Sequence, residues 1–525
     1  MPPPAERLLI TGGRILDPGA DDPHAPAVAD ILVEDGVIAA VGEGAAARAE
    51  AGEGPPPRRI DARDRLVLPG FVNAHYHSHD VLAKGTMEEE PLETWRLLAL
   101  PPQYPPRSRE EIEVRTLLGA LECLRSGMTT IQDMVTLYPF DPEHLDAVVA
   151  AYEAIGIRAV VALQYADRRG IGTIPFWSEV FPKELHGSLS TAAEPDRKID
   201  QLAYFEDRFL KAGPRGGRLS WALGPSAPER CTTALIERTR DLAERYDLPV
   251  FTHFYESKGM ALQARLECPA HGGSLVRRLG EEGLLGPRLN LAHSVWLLPD
   301  EIELLAQTGT NVVLNPLSNL KLKSGIAPVR QLEEAGVSFG MGCDNCSCSD
   351  AQNMFQAMKT MAMVTAIADP EPGPGQAVPM FHAATAGGAR CLGRGHDLGR
   401  IAPGYRADLT LVDLTDPSFV PLNSAVRQLV YTESGRGVRT VIVDGKVVME
   451  DGRSTMIDEA ALLERVEAVM PRFRADFAEI RARVDGLAPY LAEAHRRIWA
   501  EDVGTDRLFH EPAMPGTTAP AAGVR

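Results

Sequence analysis

The 525-residue chain is short of positive charge: 54 Lys and Arg stand against 72 Asp and Glu, a formal net charge of −18. That balance leaves no basic footprint for a phosphate backbone or an anionic membrane surface, so neither nucleic acid nor membrane is an expected partner. Long apolar runs are missing as well. No stretch reaches the ~18 consecutive apolar residues of a spanning helix, and the opening MPPPAERLLI has no basic region leading into an apolar signal core. Cysteine is sparse. The seven thiols, Cys123, Cys231, Cys268, Cys343, Cys346, Cys348 and Cys391, are odd in number and scattered, which fits a reducing cytoplasm rather than a disulfide framework. No Gly-rich phosphate loop follows any strand pattern, which counts against a doubly wound nucleotide-binding sheet.

What remains is an ordinary soluble composition, 44% apolar and 24% charged. At ~150 residues per domain the chain is long enough for roughly three to four units. Residues 1–65 hold two β-rich runs, LLITGGRIL and ADILVEDGVIAAVG, the second carrying the turn pair Asp35-Gly36. The same grammar returns in ADLTLVDL and RTVIVDGKVVMEDG, with Asp444-Gly445 as its turn. The two distant ends are therefore expected to form one small β-sandwich domain from residues 1–65 and 406–452.

Between them, residues 66–405 alternate short apolar runs with helical patterns. Eight strands can be counted: VLPGFVNAH, MTTIQDM, IRAVVAL, LSWALGP, LPVFTHF, LNLAHSV, TNVVLNP and VSFGMGCD. Together they predict a (β/α)₈ barrel. Residues 453–508 predict a helical extension, with Phe473, Phe477 and Ile480 on one stripe, and residues 509–525 a flexible tail.

Chemistry gathers where strands end. His75 and His77 follow LVLPGFV two residues apart, so on an extended chain their side chains point the same way. His253 ends PVFTH, His293 ends LNLAH and Asp344 ends VSFGMGCD, each at the carboxyl end of its strand, where barrel enzymes carry catalytic groups. Imidazoles with one carboxylate suit Zn²⁺ or Fe²⁺ better than Mg²⁺. Glu256 lies three residues beyond His253, placed for acid/base work on a substrate. The spacing Cys343, Cys346, Cys348 also invites a zinc or redox reading, but no second Cys-x-x-Cys pair exists, and small packed thiols beside Asp344 are expected instead.

Taken together, LPGFVNAHYH, SGMTTIQDM, FTHFYES, LAHSVWL, NPLSNLKLKSGIAPV, GCDN with NMFQAMK, and GRIAPGYRADLTLVD leading to VIVDGKVV resemble the amidohydrolase superfamily. The branch is the one that includes cytosine and guanine deaminases, triazine hydrolases and methylthioadenosine/S-adenosylhomocysteine deaminases. The resemblance spans about residues 6–452. It implies metal ligands at His75, His77, His253 and Asp344, Glu256 as proton shuttle, and His293 as the group orienting water or substrate. Binuclear relatives carry a lysine after the third or fourth strand, and neither VVALQYADR nor LSWALGPSAPER offers one, so a single divalent ion per subunit is implied, zinc first and iron as the alternative.

The implied activity is hydrolytic deamination of an amino-substituted N-heterocycle, the implied partners a small-molecule substrate and further copies of the chain. Alternatives are cyclic amide hydrolysis, loss of chloride or alkylamine from a triazine, and a non-catalytic assembly role. The candidate substrate contacts are His79, Trp95, Tyr104, Ser226 and Asn319. Nucleoside-deaminating relatives resemble G-P-H-x-P-Y-x-C where this chain reads GPSAPERC, with Ser226 in place of histidine and Glu229 in place of tyrosine. Their ribose-binding glutamate has no counterpart near LLALPPQY, where Gln103 and Tyr104 fall, so a free heterocycle is expected over a nucleoside.

Overall fold

A computed structural model describes residues 7–51, 56–101, 105–168, 170–191, 200–368 and 372–508. The expected substrate contact Tyr104, with Gln103, and the expected tail at 509–525 lie outside the described residues.

Runs of apolar residues buried on both faces become a parallel sheet, because helices cover one side and the opposite side meets itself. Its strands are β1 (Phe71–His77), β2 (Met128–Val135), β3 (Arg158–Tyr165), β4 (Leu219–Pro225), β5 (Val250–Phe254), β6 (Leu289–His293), β7 (Asn311–Leu314), β8 (Phe339–Met341) and β9 (Asp344–Asn345). They pair in chain order from β1 to β8, and β9 returns to pair with β1 through Asp344↔Tyr76 and Asn345↔His77. The eighth apolar run of the sequence is thus two short strands split at Gly342-Cys343. Its first half pairs with β7 and its second with β1. Gly342 is required there: a Cβ would stand 2.2 Å from Asn315 Oδ1 and 2.8 Å from His75 Cβ.

The covering helices are bounded by local signals. Ser108 caps Arg109–Arg125 by accepting from the Glu111 N–H, Asp141 caps Pro142–Ile155, and that helix stops at Gly156 with φ 84°.

The second sheet has nine strands drawn from both chain flanks. Arg65–Pro69, from the first flank, pairs antiparallel with Leu409–Asp413, from the second. Both predicted tight turns form, with Asp35 and Asp444 at φ 53° and 54° and glycine following each. The two turns touch: a Cβ on Gly445 would stand 2.7 Å from the Gly36 Cα.

Arg158, the first residue of β3, ties the two sheets. Its guanidinium is 1% exposed and meets Asp408, just before Leu409–Asp413, at 2.8 and 2.9 Å, and Asp444 at 3.2 Å. Replacing it with methionine leaves Asp408 buried without its cation, a loss of about 3–5 kcal/mol. A lower thermal unfolding midpoint is the expected result, and an unchanged midpoint would show that the pair does not hold the sheets together.

At the C-terminal side, AALLERVEAVM and FRADFAEI form one helix, Glu459–Asp485, running through Pro471. An internal proline costs ~3 kcal/mol, so the sequence suggests a break. Anchors on both sides of the proline offset it: Arg465 pairs with Glu110 and Glu113, Arg107 with Asp476, and Arg481 with Glu90. Among the described residues no helix is long and apolar enough to cross a membrane.

Candidate metal centre and active site

The strand ends bring the singled-out residues into one buried cluster. His75 and His77 share a side of β1, with Tyr76 turned the opposite way under the helix at Gly119. β5 carries His253, β6 ends on His293, and Asp344 opens β9 directly beside β1. The chain leaves the strands in strained conformations there, with positive φ at Tyr255 (42°), His293 (74°), Ser294 (50°) and Asp344 (60°). Such backbone is characteristic of positions where a side chain must be aimed rather than packed.

The ring nitrogens converge. His77 Nε2 lies 3.3 Å from His75 Nε2 and 3.2 Å from His253 Nε2, while Asp344 Oδ1 lies 3.4 Å from His75 Nε2 and 3.5 Å from His77 Nε2. The opposite nitrogens are committed: His77 Nδ1 faces the Met134 carbonyl at 2.8 Å and His253 Nδ1 the Ser226 carbonyl at 2.6 Å. A carbonyl only accepts, so each Nδ1 carries the proton and each Nε2 presents a lone pair. The lone pairs of His77 and His253, facing one another across 3.2 Å, repel unless a cation sits between them. Ligands about 2.0–2.1 Å from a tetrahedral zinc would be about 3.3 Å apart. Asp344 Oδ1 is buried with no hydrogen-bond partner, as is His75 Nδ1. The donor set therefore fits a divalent metal of the zinc type.

Protonation follows from burial. It pushes the His75 imidazole down to about 4 and His253 well below its ordinary value, keeping both neutral. Burial would raise the Asp344 carboxyl, but the neighbouring histidines, His75 first and then His293 and His77, hold it well below the usual range. Ligation needs these states. Glu256 goes the other way: burial, then the charge of Asp344, raises its carboxyl well above the ordinary range. It stands 3.6 Å from His293 Nε2, which is 3.9 Å from Asp344 Oδ2.

Of the other expected residues, His79 sits in the turn Ser78–Ala83 rather than on a continued strand; it is buried, with neither ring nitrogen hydrogen-bonded, and lines the pocket beside His77. Trp95 also lines it and donates its indole N–H to Ser347 Oγ at 2.8 Å. Asn319 accepts from His293 Nδ1 at 2.8 Å, so its oxygen orients that ring. Ser226 Oγ takes hydrogen bonds from Gln164 and Arg230 and lines a larger adjoining cavity. All seven cysteines are buried and free, and among the described residues the groups able to hold a metal comprise only His75, His77, His253, His293 and Asp344.

Three residues were not singled out by sequence reasoning. Asp80 accepts from the backbone N–H groups of Cys346 and Ser347 and so holds the loop after Asp344. Arg96 and Arg230 line the pocket together. Their only sequence signals are the neighbours Trp95 and Glu229.

The Amidohydrolase family model matches residues 66–448. A 5'-deoxyadenosine deaminase of Methanothermobacter thermautotrophicus is 32% identical over 463 residues, covering 88% of this chain and 98% of the relative. A 5-methylthioadenosine/S-adenosylhomocysteine deaminase of Syntrophobacter fumaroxidans is 32% identical over 473 residues, covering 89% and 98%. Among solved structures, an adenosine deaminase from Xanthomonas campestris with bound zinc superposes with a TM-score of 0.76 at 30% identity, covering 90% of this chain and all of that one. An atrazine chlorohydrolase from Arthrobacter aurescens TC1 complexed with zinc gives 0.74 at 26% identity, covering 88% and all of that chain.

Proposed function

The chain belongs to the amidohydrolase family, and from that premise we propose that it hydrolytically deaminates an amino-substituted N-heterocycle at a single zinc. The observation that carries this reading is the convergence of His75, His77, His253 and Asp344 with Glu256 and His293 alongside. A divalent ion in such a site lowers the pKa of water towards about 7.

Each protein group then has a task its geometry supports. Asp344, ionised and beside the imidazoles, takes a proton from the attacking water. His293, its Nδ1 proton committed to Asn319, orients that water by accepting at Nε2. Glu256, holding its proton, gives it to the ring nitrogen next to the carbon under attack, so that negative charge does not build on the ring. The new C–O bond forms, and the C–N bond breaks as the amino nitrogen receives a proton through Asp344 or Glu256 and leaves as ammonia.

The architecture is proposed as a (β/α)₈ barrel over residues 66–405 flanked by a β-sandwich of residues 1–65 and 406–452, with a helical extension over 453–508. The return of β9 to β1 and the shared second sheet support it. A second reading, hydrolytic loss of chloride or alkylamine, is favoured by the similarity to atrazine chlorohydrolase. Screening purines, pyrimidines, pterins and triazines for ammonia release tests the first reading. Release of chloride or alkylamine without ammonia would overturn it in favour of the second.

Free heterocycles are the proposed substrates rather than nucleosides. Ser226, at the position of a histidine in nucleoside-deaminating relatives, is already engaged with Gln164 and Arg230, and the sequence around Gln103 and Tyr104 offers no carboxylate in place of their ribose-binding glutamate. Unpaired buried groups cost about 1–3 kcal/mol each, so two lost contacts lower nucleoside kcat/KM by roughly 10² to 10⁴ against the matched base. A preference for the nucleoside in matched pairs would reject this.

A further inference from the structure

The pocket beside the metal ligands opens into a larger cavity of about 160 Å³, and Arg96, Leu100, Gln164 and Arg230 line both. In a chain of net charge −18, the described residues that line the larger cavity include three arginines, Arg96, Arg168 and Arg230, and no acidic residue. Two of them stand at the junction of the chambers. Arg96 is 9% exposed and spends its donors on Thr173 Oγ1 and the Gly170 carbonyl, with no carboxylate paired to it among the described residues. Arg230 donates to Ser226 Oγ at 3.1 Å, and its buried Nε has no hydrogen-bond partner. The nearest carboxylate, Glu229, stands 3.9 Å away and makes no hydrogen bond either.

Cations this buried are costly unless paired, and two guanidiniums that repel one another make the cost larger. Burial, then the charge of Arg230, lowers the Arg96 guanidinium to about 9. Folds keep such an arrangement where an anion completes it, and a guanidinium fork matches an oxyanion.

We propose that Arg96 and Arg230 form an oxyanion subsite, and that the substrate is an N-heterocycle bearing a carboxylate or phosphate group. The proposal rests on the deaminase reading for the heterocycle but not for the anion. Leu97, Leu137 and Ile171 line the cavity and would cover the body of the ligand. The ring, between Arg230 and Glu256, would lie with its charged substituent directed away from the metal ligands.

The test measures binding to the metal-loaded enzyme apart from turnover. Calorimetry with 6-aminonicotinate against 6-aminonicotinamide compares a carboxylate with its neutral isostere, and adenosine 5'-monophosphate against adenosine does the same for a phosphate. One charged member should bind about 10-fold to 100-fold more tightly, since hydrogen bonds to charged groups are worth that much. Arg230→Gln should shrink the ratio to within about threefold. A merely structural arginine would weaken both members alike. Tighter carboxylate identifies a ring acid, and tighter phosphate identifies a nucleotide and would also overturn the free-base preference. If neither charged ligand wins on the wild-type enzyme, the subsite is rejected. Ammonia release in the heterocycle screen is scored separately, so either reading can fail while the other stands.

Discussion

Replacing Asp344 with alanine abolishes turnover, and so does replacing His253 or stripping the enzyme with a chelator. Asp344 does two things in the proposed chemistry: its Oδ1 faces His75 and His77 across 3.4 and 3.5 Å, completing the donor set, and its carboxylate takes the proton of the attacking water. No neighbour can take over the first task, because burial favours the protonated form of Glu256 and pushes Cys348, whose thiol is 3.7 Å from Asp344, well above its ordinary value. The fold should survive, since an open catalytic site contributes less to stability than a closed structural one. The expected result is a variant with cooperative unfolding, strongly reduced metal content and no activity. A metal-free wild-type preparation working at full rate would sink the assignment.

The sequence made this cluster legible because period two and strand ends are local properties. His75 and His77 share a face on any extended chain, and His253 and His293 each stand at the end of a short apolar run patterned as a buried strand. Asp344 was legible by position but not by strand: nothing local says that VSFGMGCD breaks at Gly342, a break imposed by the approach of Asn315 and His75. Pro471 misleads in the same way, because the ion pairs that keep the helix intact join it to residues more than 350 positions away. Arg96 and Arg230 carry no local signature at all. They meet only because one lies in the helix Leu92–Ala99 after β1 and the other in the turn Pro228–Arg230 after β4, and that no carboxylate hydrogen-bonds to either among the described residues is a fact of packing.

Buried polar groups separate along the same line. Arg158 and Asp408 satisfy one another, which reads as structure. The unpartnered nitrogens of Arg230 and His79 belong to residues that line the pocket, and the unpartnered oxygen of Asp344 and nitrogen of His293 lie in the adjoining cluster beside Glu256.

Glu256→Gln is the substitution that separates chemistry from binding. Glutamine keeps the shape of the side chain and can still donate a hydrogen bond to a ring nitrogen, but it has no proton to transfer. Metal content and substrate affinity should therefore hold while kcat falls by about 10² to 10⁴, the usual contribution of a positioned acid/base group. The raised carboxyl is the reason for expecting the full effect: burial and the charge of Asp344 favour the protonated form of Glu256, the state a general acid must be in before the attack begins. Its position 3.6 Å from His293 Nε2 places that proton beside the group that orients the water. Single-turnover measurement under saturating substrate isolates the step. A rate within a few-fold of the parent would move all proton transfer onto Asp344 and leave Glu256 as a pocket wall.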